Sequence, residues 1–256
     1  MDKLRKEHLT EWLNWQIAAT MKDCADPDTE RRAQDTSNRN LAVLKAALNE
    51  AVTLELPGAS SDIHWKKVTK IPDVAKPREF DGLGLDEYRA IMDAVKPDLR
   101  AFGMALLQMG ARPGELAACD LGHYNGKLAT LTFPQSKTKP RTIDLSPAAK
   151  ALCDAAAKDR IGTGPLFVND DSLSDSKRWT AAAWGKAFRD ARMEAGAPDA
   201  VLYLARHLFI TEALKTGNIS GEHVAQYTGT SIKMIMDTYL KKDEAMSSKL
   251  GAINFG

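Results

Sequence analysis

Tyr203-Leu204-Ala205-Arg206-His207 is the stretch on which the reading of this chain turns. It sets a guanidinium, charged at any ordinary pH and able to offer two parallel N–H donors to one anion, beside an imidazole that can carry a proton near neutrality. Taken alone, such an Arg is more often a surface or capping ion pair than a functional group. The weight comes from what surrounds it in order. Upstream stand Arg112, in Ala-Arg-Pro-Gly-Glu-Leu (111–116), and Lys137, in Ser-Lys-Thr-Lys-Pro-Arg (136–141); downstream, Tyr239 closes Ser231-Ile232-Lys233-Met234-Ile235-Met236-Asp237-Thr238-Tyr239. Two forks, a lysine, an imidazole and a phenol suit a phosphodiester: the forks for its non-bridging oxygens, Lys and His for protons, and the phenol to attack phosphorus.

In this order the set resembles the active site of the tyrosine recombinases, the phage-type integrases. The resemblance implies that Arg112 and Arg206 clamp the phosphate, that Lys137 protonates the leaving 5′ oxygen, and that Tyr239 forms a 3′-phosphotyrosyl bond. Lys139 is an adjacent competitor of Lys137. His207 would assist deprotonation of the nucleophile or orient the clamp. Two positions depart from the family pattern. Tyr203 stands where the family has the first His of His-x-x-Arg-His, and Thr230 stands where His or Trp is expected. The bond energy is stored in the covalent intermediate, so neither ATP nor a metal nor another cofactor is implied, and no P-loop or metal motif is present in the sequence.

The function expected from the resemblance is that of a site-specific recombinase or integrase of a mobile element. Its partners would be double-stranded attachment-site DNA, further copies of the chain in a homotetramer, and DNA-bending accessory proteins. Two other readings stay open: a DNA-binding regulator with this fold, its catalysis weakened by Tyr203 and Thr230, and a type IB topoisomerase sharing the chemistry.

Length and composition agree with two soluble domains. The chain has 256 residues, 44% of them hydrophobic, enough for one or two ordinary cores. No apolar run is long enough to span a bilayer and the start is strongly polar, which predicts a cytoplasmic, nucleoid-associated protein without a membrane partner. Cys24, Cys119 and Cys153 lack metal-ligand spacing and read as reduced, structural thiols. The net charge of only +1 means that any DNA surface must be a local one. Arg39, Lys45, Lys139 and Arg141 are its candidate contacts, Arg39 and Lys45 with a solvated helix face as the even alternative.

The expected fold is mainly α, in the α+β sense. A first helix is predicted from Lys6 to Met21, where apolar residues from Leu9 onward recur at helical spacing, and a second helix capped by Thr36 or Ser37 runs to about Thr53. These form a helical core-binding domain, residues 1–75, a shortened version of the family's. Pro and Gly accumulate from Pro57 to Gly84 and mark the linker, with the boundary near Ala75. Residues 76–256 read as a mostly helical catalytic domain. Asn125-Gly126 signals a hairpin between Leu121–Tyr124 and Lys127–Phe133, and Arg141–Leu145 supplies a third strand of a small antiparallel sheet. Helices are predicted over 85–95, 99–109, 146–157, 181–194, 206–216, 221–227 and 231–240, with Pro113 opening another.

Overall fold

Leu9 and Leu13, one turn apart, give the first helix its apolar stripe, and in the computed structural model of the chain both are buried on α1 (Lys6–Met21). The structure describes residues 4–22, 27–58, 63–72, 74, 84–135, 140–198 and 200–240. Cys24, Ala75, Lys137, Lys139 and the tail from Lys241 to Gly256 lie outside them. Two compact units divide the chain, Met1–Glu79 and Phe80–Gly256.

In the first unit, α1 packs on α2 (Pro27–Thr53) and the short α3 (Ile63–Lys66). Leu9, Leu13, Leu41, Trp65 and Val68 form its core. The Trp65 indole donates to Asn49 Oδ1 at 2.7 Å, which satisfies its one polar atom. The second helix begins about nine residues earlier than the capping reading places it. Pro27 takes the first helical position, where its missing N–H costs nothing. Ser37 is therefore not a cap but a buried mid-helix residue. Its neighbour Asn38 is buried because its amide pairs with both backbone groups of Ile71, at 2.9 and 2.8 Å.

The second unit is built around α4 (Leu85–Ala94) and α5 (Pro97–Met109), whose Tyr88, Ile91, Met92, Phe102, Leu106 and Met109 are fully buried. The Tyr88 hydroxyl donates to Gly103 O at 2.9 Å. Phe102 stacks with Trp179 and Trp184 at 5.7 and 6.0 Å between centroids, joining α5 to α8 (Ala181–Glu194). A three-stranded antiparallel sheet follows α6 (Pro113–Ala117) in the order β1 (Tyr124–Asn125), β2 (Thr130–Phe133), β3 (Arg141–Asp144). Asn125 Oδ1 accepts from the N–H groups of Lys127 and Leu128, both at 3.1 Å, so the predicted turn is an Asn-centred one and β2 starts only at Thr130. Leu131, Phe133 and Ile143 point from the sheet into the core, under α7 (Pro147–Ala157).

The chain closes with α9 (Leu204–Lys215), α10 (Gly221–Thr228), α11 (Ile232–Ile235) and a π-helical turn, Met236–Leu240. Ser146, Thr180, Ser220 and Ser231 cap α7, α8, α10 and α11, each accepting from the backbone N–H three residues on. A separate small core of Ile210, Val224, Ala225 and Ile235, with Phe209 and Tyr239 against it, seats the last two elements on α9. Among the described residues no helix is long and apolar enough to cross a membrane.

Candidate active site

The site forms at the carboxyl end of α10. There Gly229, at φ +66°, closes a Schellman motif: its N–H donates to Gln226 O at 3.3 Å and that of Thr230 to Ala225 O at 3.0 Å. This leaves the carbonyls of Tyr227, Thr228 and Gly229 to find other donors, and each takes an arginine. Arg141 Nε donates to Tyr227 O at 3.2 Å, Arg206 Nη1 to Thr228 O at 2.6 Å, and Arg112 Nη2 to Gly229 O at 3.0 Å. Cations are favoured at this negative end of the helix dipole.

Each guanidinium is braced from a second side. Arg112 precedes α6, and Glu115 three residues on accepts from its Nη1 at 2.7 Å and its backbone N–H at 3.3 Å. Oε2 of that buried carboxylate, which accepts the Arg112 backbone N–H, also pairs with Arg141 Nη2 at 3.0 Å, while Arg112 Nη1 holds Oε1. Burial pushes the Glu115 carboxyl up, but the hydrogen bonds and charges of Arg141 and Arg112 outweigh it and hold the group below the usual carboxylate range.

Arg206 rises from the first turn of α9 and is 2% exposed. Its Nη1 spends both protons on carbonyls, Thr228 O and, at 2.8 Å, Gly110 O. Among the described residues nothing bonds its Nε or Nη2, so the edge of the fork that binds an oxyanion side-on is left open. Burial, and next the charge of Arg112, lower its pKa from an ordinary value high enough to leave it a cation.

Gly110 caps α5 at φ +59°, and a Cβ there would stand 2.3 Å from Phe209 Cδ1. Gly110→Ala is therefore expected to lower stability by about 2–4 kcal/mol, from left-handed strain and overpacking together. Gly185, exposed in α8 with open space at its Cβ position, is the control: Gly185→Ala should raise stability by about 0.5–1 kcal/mol. Urea midpoints at unchanged slope check both.

Beyond the arginines lies a row of three rings. Tyr239 Oη is 2.6 Å from His207 Nδ1, and Tyr203 meets the other side of the imidazole edge-on at 5.3 Å. Burial and then the charge of Arg206 push the imidazole down to about 4, so it is neutral at pH 7. The Tyr239 phenol is raised above its usual value by burial and by Tyr203, with Arg206 pulling it partly back. A neutral imidazole facing a protonated phenol is a base facing an acid.

The structure thus brings together Arg112, Arg206, His207 and Tyr239, while Lys137 and Lys139 lie outside the described residues. Tyr203 is 38% exposed at the start of α9, beside His207. Thr230 is half-buried, its backbone N–H used by the Schellman motif. His223 sits at the opposite end of α10, bonded to Ser220. Arg39 is exposed and pairs with Asp35. Lys45 spends its ammonium on Val68 O at 3.0 Å. Arg141, expected on a DNA-facing surface, is 13% exposed and folded into the clamp, with its guanidinium carbon 4.4 Å from the centre of the Phe133 ring. Glu115 is the residue that reading missed. Its signal was the Arg-x-x-Glu spacing, which lets a side chain reach back to the residue before a helix.

No protein-family profile and no curated protein sequence matches the chain. Solved structures do. The Tn1549 transposon integrase, in complex with transposon right end DNA, superposes with a TM-score of 0.66 at 14% identity, over 98% of this chain and 87% of that one. XerA recombinase matches with a TM-score of 0.54 at 15% identity, over 96% and 100%. A lambda integrase dimer bound to a COC′ core site matches with a TM-score of 0.63 at 18% identity, over 96% and 82%. At such identities the likeness is one of architecture: this chain has the fold of the tyrosine recombinases and integrases.

Proposed function

We propose that the protein is a site-specific DNA recombinase that breaks and rejoins strands through a 3′-phosphotyrosyl intermediate on Tyr239. The observation that carries this is the hydrogen bond of Tyr239 to a neutral His207, both of them within reach of the charge of Arg206. As the Tyr239 oxygen bonds to phosphorus, its proton passes to His207 Nδ1. The P–O5′ bond breaks, and the 5′ oxygen takes a proton from Lys137, a role that rests on the resemblance. Arg112 and Arg206 carry the charge that grows on the non-bridging oxygens. Attack by the 5′ hydroxyl of a partner strand reverses each step, returns the proton to Tyr239 and conserves the bond energy. Duplex DNA and a tetrameric assembly on it complete the proposal, and the DNA-bound integrases of the same fold support it. A second reading is favoured by Tyr203 and Thr230: loss of an imidazole at the first position and of a ring donor at the second leaves a DNA-binding regulator with feeble cleavage.

The test begins with a duplex selected from a randomised pool by binding to the protein. A nicked form of it is incubated with the protein in a chelator and run on a denaturing gel. The expected result is a covalent adduct whose peptide map ends at Tyr239. Tight binding with no adduct after long incubation would sink the recombinase reading in favour of the regulator. Relaxation of a supercoiled plasmid without joining of two duplexes would favour a type IB topoisomerase.

The state of His207 fixes the pH dependence. Adduct formation by the free protein should stay level from neutral pH down to about 5 and fall as pH approaches about 4, well below the usual histidine limb near 6.5. Between about 4 and 6.5 the unfolded chain binds a proton that the folded one does not. Stability contributed by the neutral imidazole is thus lost as pH falls through that window. Thermal midpoints across it should drop on acidification, and His207→Gln should flatten the drop.

A further inference from the structure

We infer that Arg141, the first residue of β3, is a positioning residue that keeps the guanidinium of Arg112 turned toward a bound phosphate. The inference rests on the recombinase reading of the same site. Arg112 is fixed by two side-chain hydrogen bonds, to Glu115 Oε1 and to Gly229 O. Arg141 holds both partners. Its Nη2 pairs with Glu115 Oε2, its Nε with Tyr227 O, and its Nη1 lies so close to Gly229 that a Cβ there would be 2.8 Å away. That Nη1 is buried without a hydrogen-bond partner among the described residues. The dipole favours a cation here, but burying an arginine nitrogen without a hydrogen-bond partner is unfavourable in itself and needs a reason.

The reason lies in the geometry of Glu115. A carboxylate with both oxygens free closes a two-point pair with an arginine fork. If Arg141 released Oε2, Glu115 would turn both oxygens on the guanidinium of Arg112 and withdraw the donors that a phosphate needs. Arg141 Nη2, which shares Oε2 with the Arg112 backbone N–H, confines Glu115 to a single point on that guanidinium. It also pins the α10 end, which supplies the second point.

The test uses the nicked duplex described above, made with either the natural phosphate or a methylphosphonate at the scissile linkage. The latter lacks one anionic oxygen and so asks less of Arg112. Wild type, Arg112→Ala, Arg141→Ala, Arg141→Lys and the double alanine variant are compared, with circular dichroism and thermal midpoints to certify folding. Arg141→Lys covers the case in which alanine does not fold. On phosphate, Arg141→Ala should slow adduct formation about 10–100-fold, the range for residues that orient a ligand, and Arg141→Lys less. Added to Arg112→Ala it should cost no more than about 2-fold. On methylphosphonate the Arg141 loss should shrink in parallel with the Arg112 loss. A loss that is equal on both substrates, or that multiplies with Arg112→Ala, overturns the inference. Absence of any adduct from wild type is instead a failure of the recombinase reading, and the salt dependence of duplex binding then decides. Arg112→Ala, Arg141→Ala and the double variant should each lower the salt slope by the same about 1; additive slopes overturn the inference.

Discussion

Tyr239→Phe is expected to lower adduct formation by about 10⁴–10⁶-fold while leaving duplex affinity within a factor of about two. The substitution removes one oxygen. The ring stays against Ile210, Val224 and Ile235, and the loss of the bond to His207 should cost only about 0.5–1.5 kcal/mol. Binding energy comes mostly from phosphate contacts elsewhere, which the change does not touch. The comparison is therefore clean: gel-resolved adduct for chemistry, anisotropy for binding, thermal midpoint for fold. Residual adduct in Tyr239→Phe would have one specific origin to examine. Tyr203 is the other phenol on His207, and a peptide map ending there would reassign the nucleophile.

Arg206→Ala should be the most damaging change that leaves the nucleophile in place. It removes the open Nε–Nη2 edge, and loss of one such donor costs about 10²–10³ in rate at other oxyanion sites. It also orphans two buried carbonyls, Gly110 O and Thr228 O, which hold α5 and α10 to the start of α9. Hydrogen bonds from a charged donor contribute about 1.5–3 kcal/mol each, and relief of the guanidinium's desolvation offsets part of that. The net expectation is about 2–4 kcal/mol of lost stability together with a rate loss of at least about 10²-fold. Arg206→Lys separates the two. A lysine keeps charge and one carbonyl bond but no planar edge, so stability should recover more than rate. Equal recovery of both would mean that Arg206 is a strut and not a clamp.

The sequence carried some of this plainly. Helical spacing placed α1 to the residue, and α5, α7 and α8 to within two, because their cores are stripes that a single helix displays by itself. Arg112, Arg206, His207 and Tyr239 were legible as an ordered set. Arg141 was not legible as part of the clamp, since its partners Glu115 and Tyr227 are 26 and 86 residues away in sequence and no local pattern links them. The bond of Lys45 to Val68 O was not legible for the same reason: that carbonyl belongs to a loop 23 residues on. The start of α2 was misplaced because Asp26-Pro27-Asp28 is equally a turn and a helix opening, and the pairings that anchor this polar stretch, Arg31 with Val74 O and Asn38 with Ile71, join residues far apart in sequence.

The arginines are received at the end of α10 by main-chain oxygens. Every amino acid supplies the same oxygen, so the arginine contacts at 227 and 228 do not themselves depend on which side chains stand there, whereas Gly229 is bound to its identity by φ and by Arg141. A receptor made of backbone is invisible to a comparison of side chains. Sequence can therefore change around this point without moving the oxygens that seat the arginines.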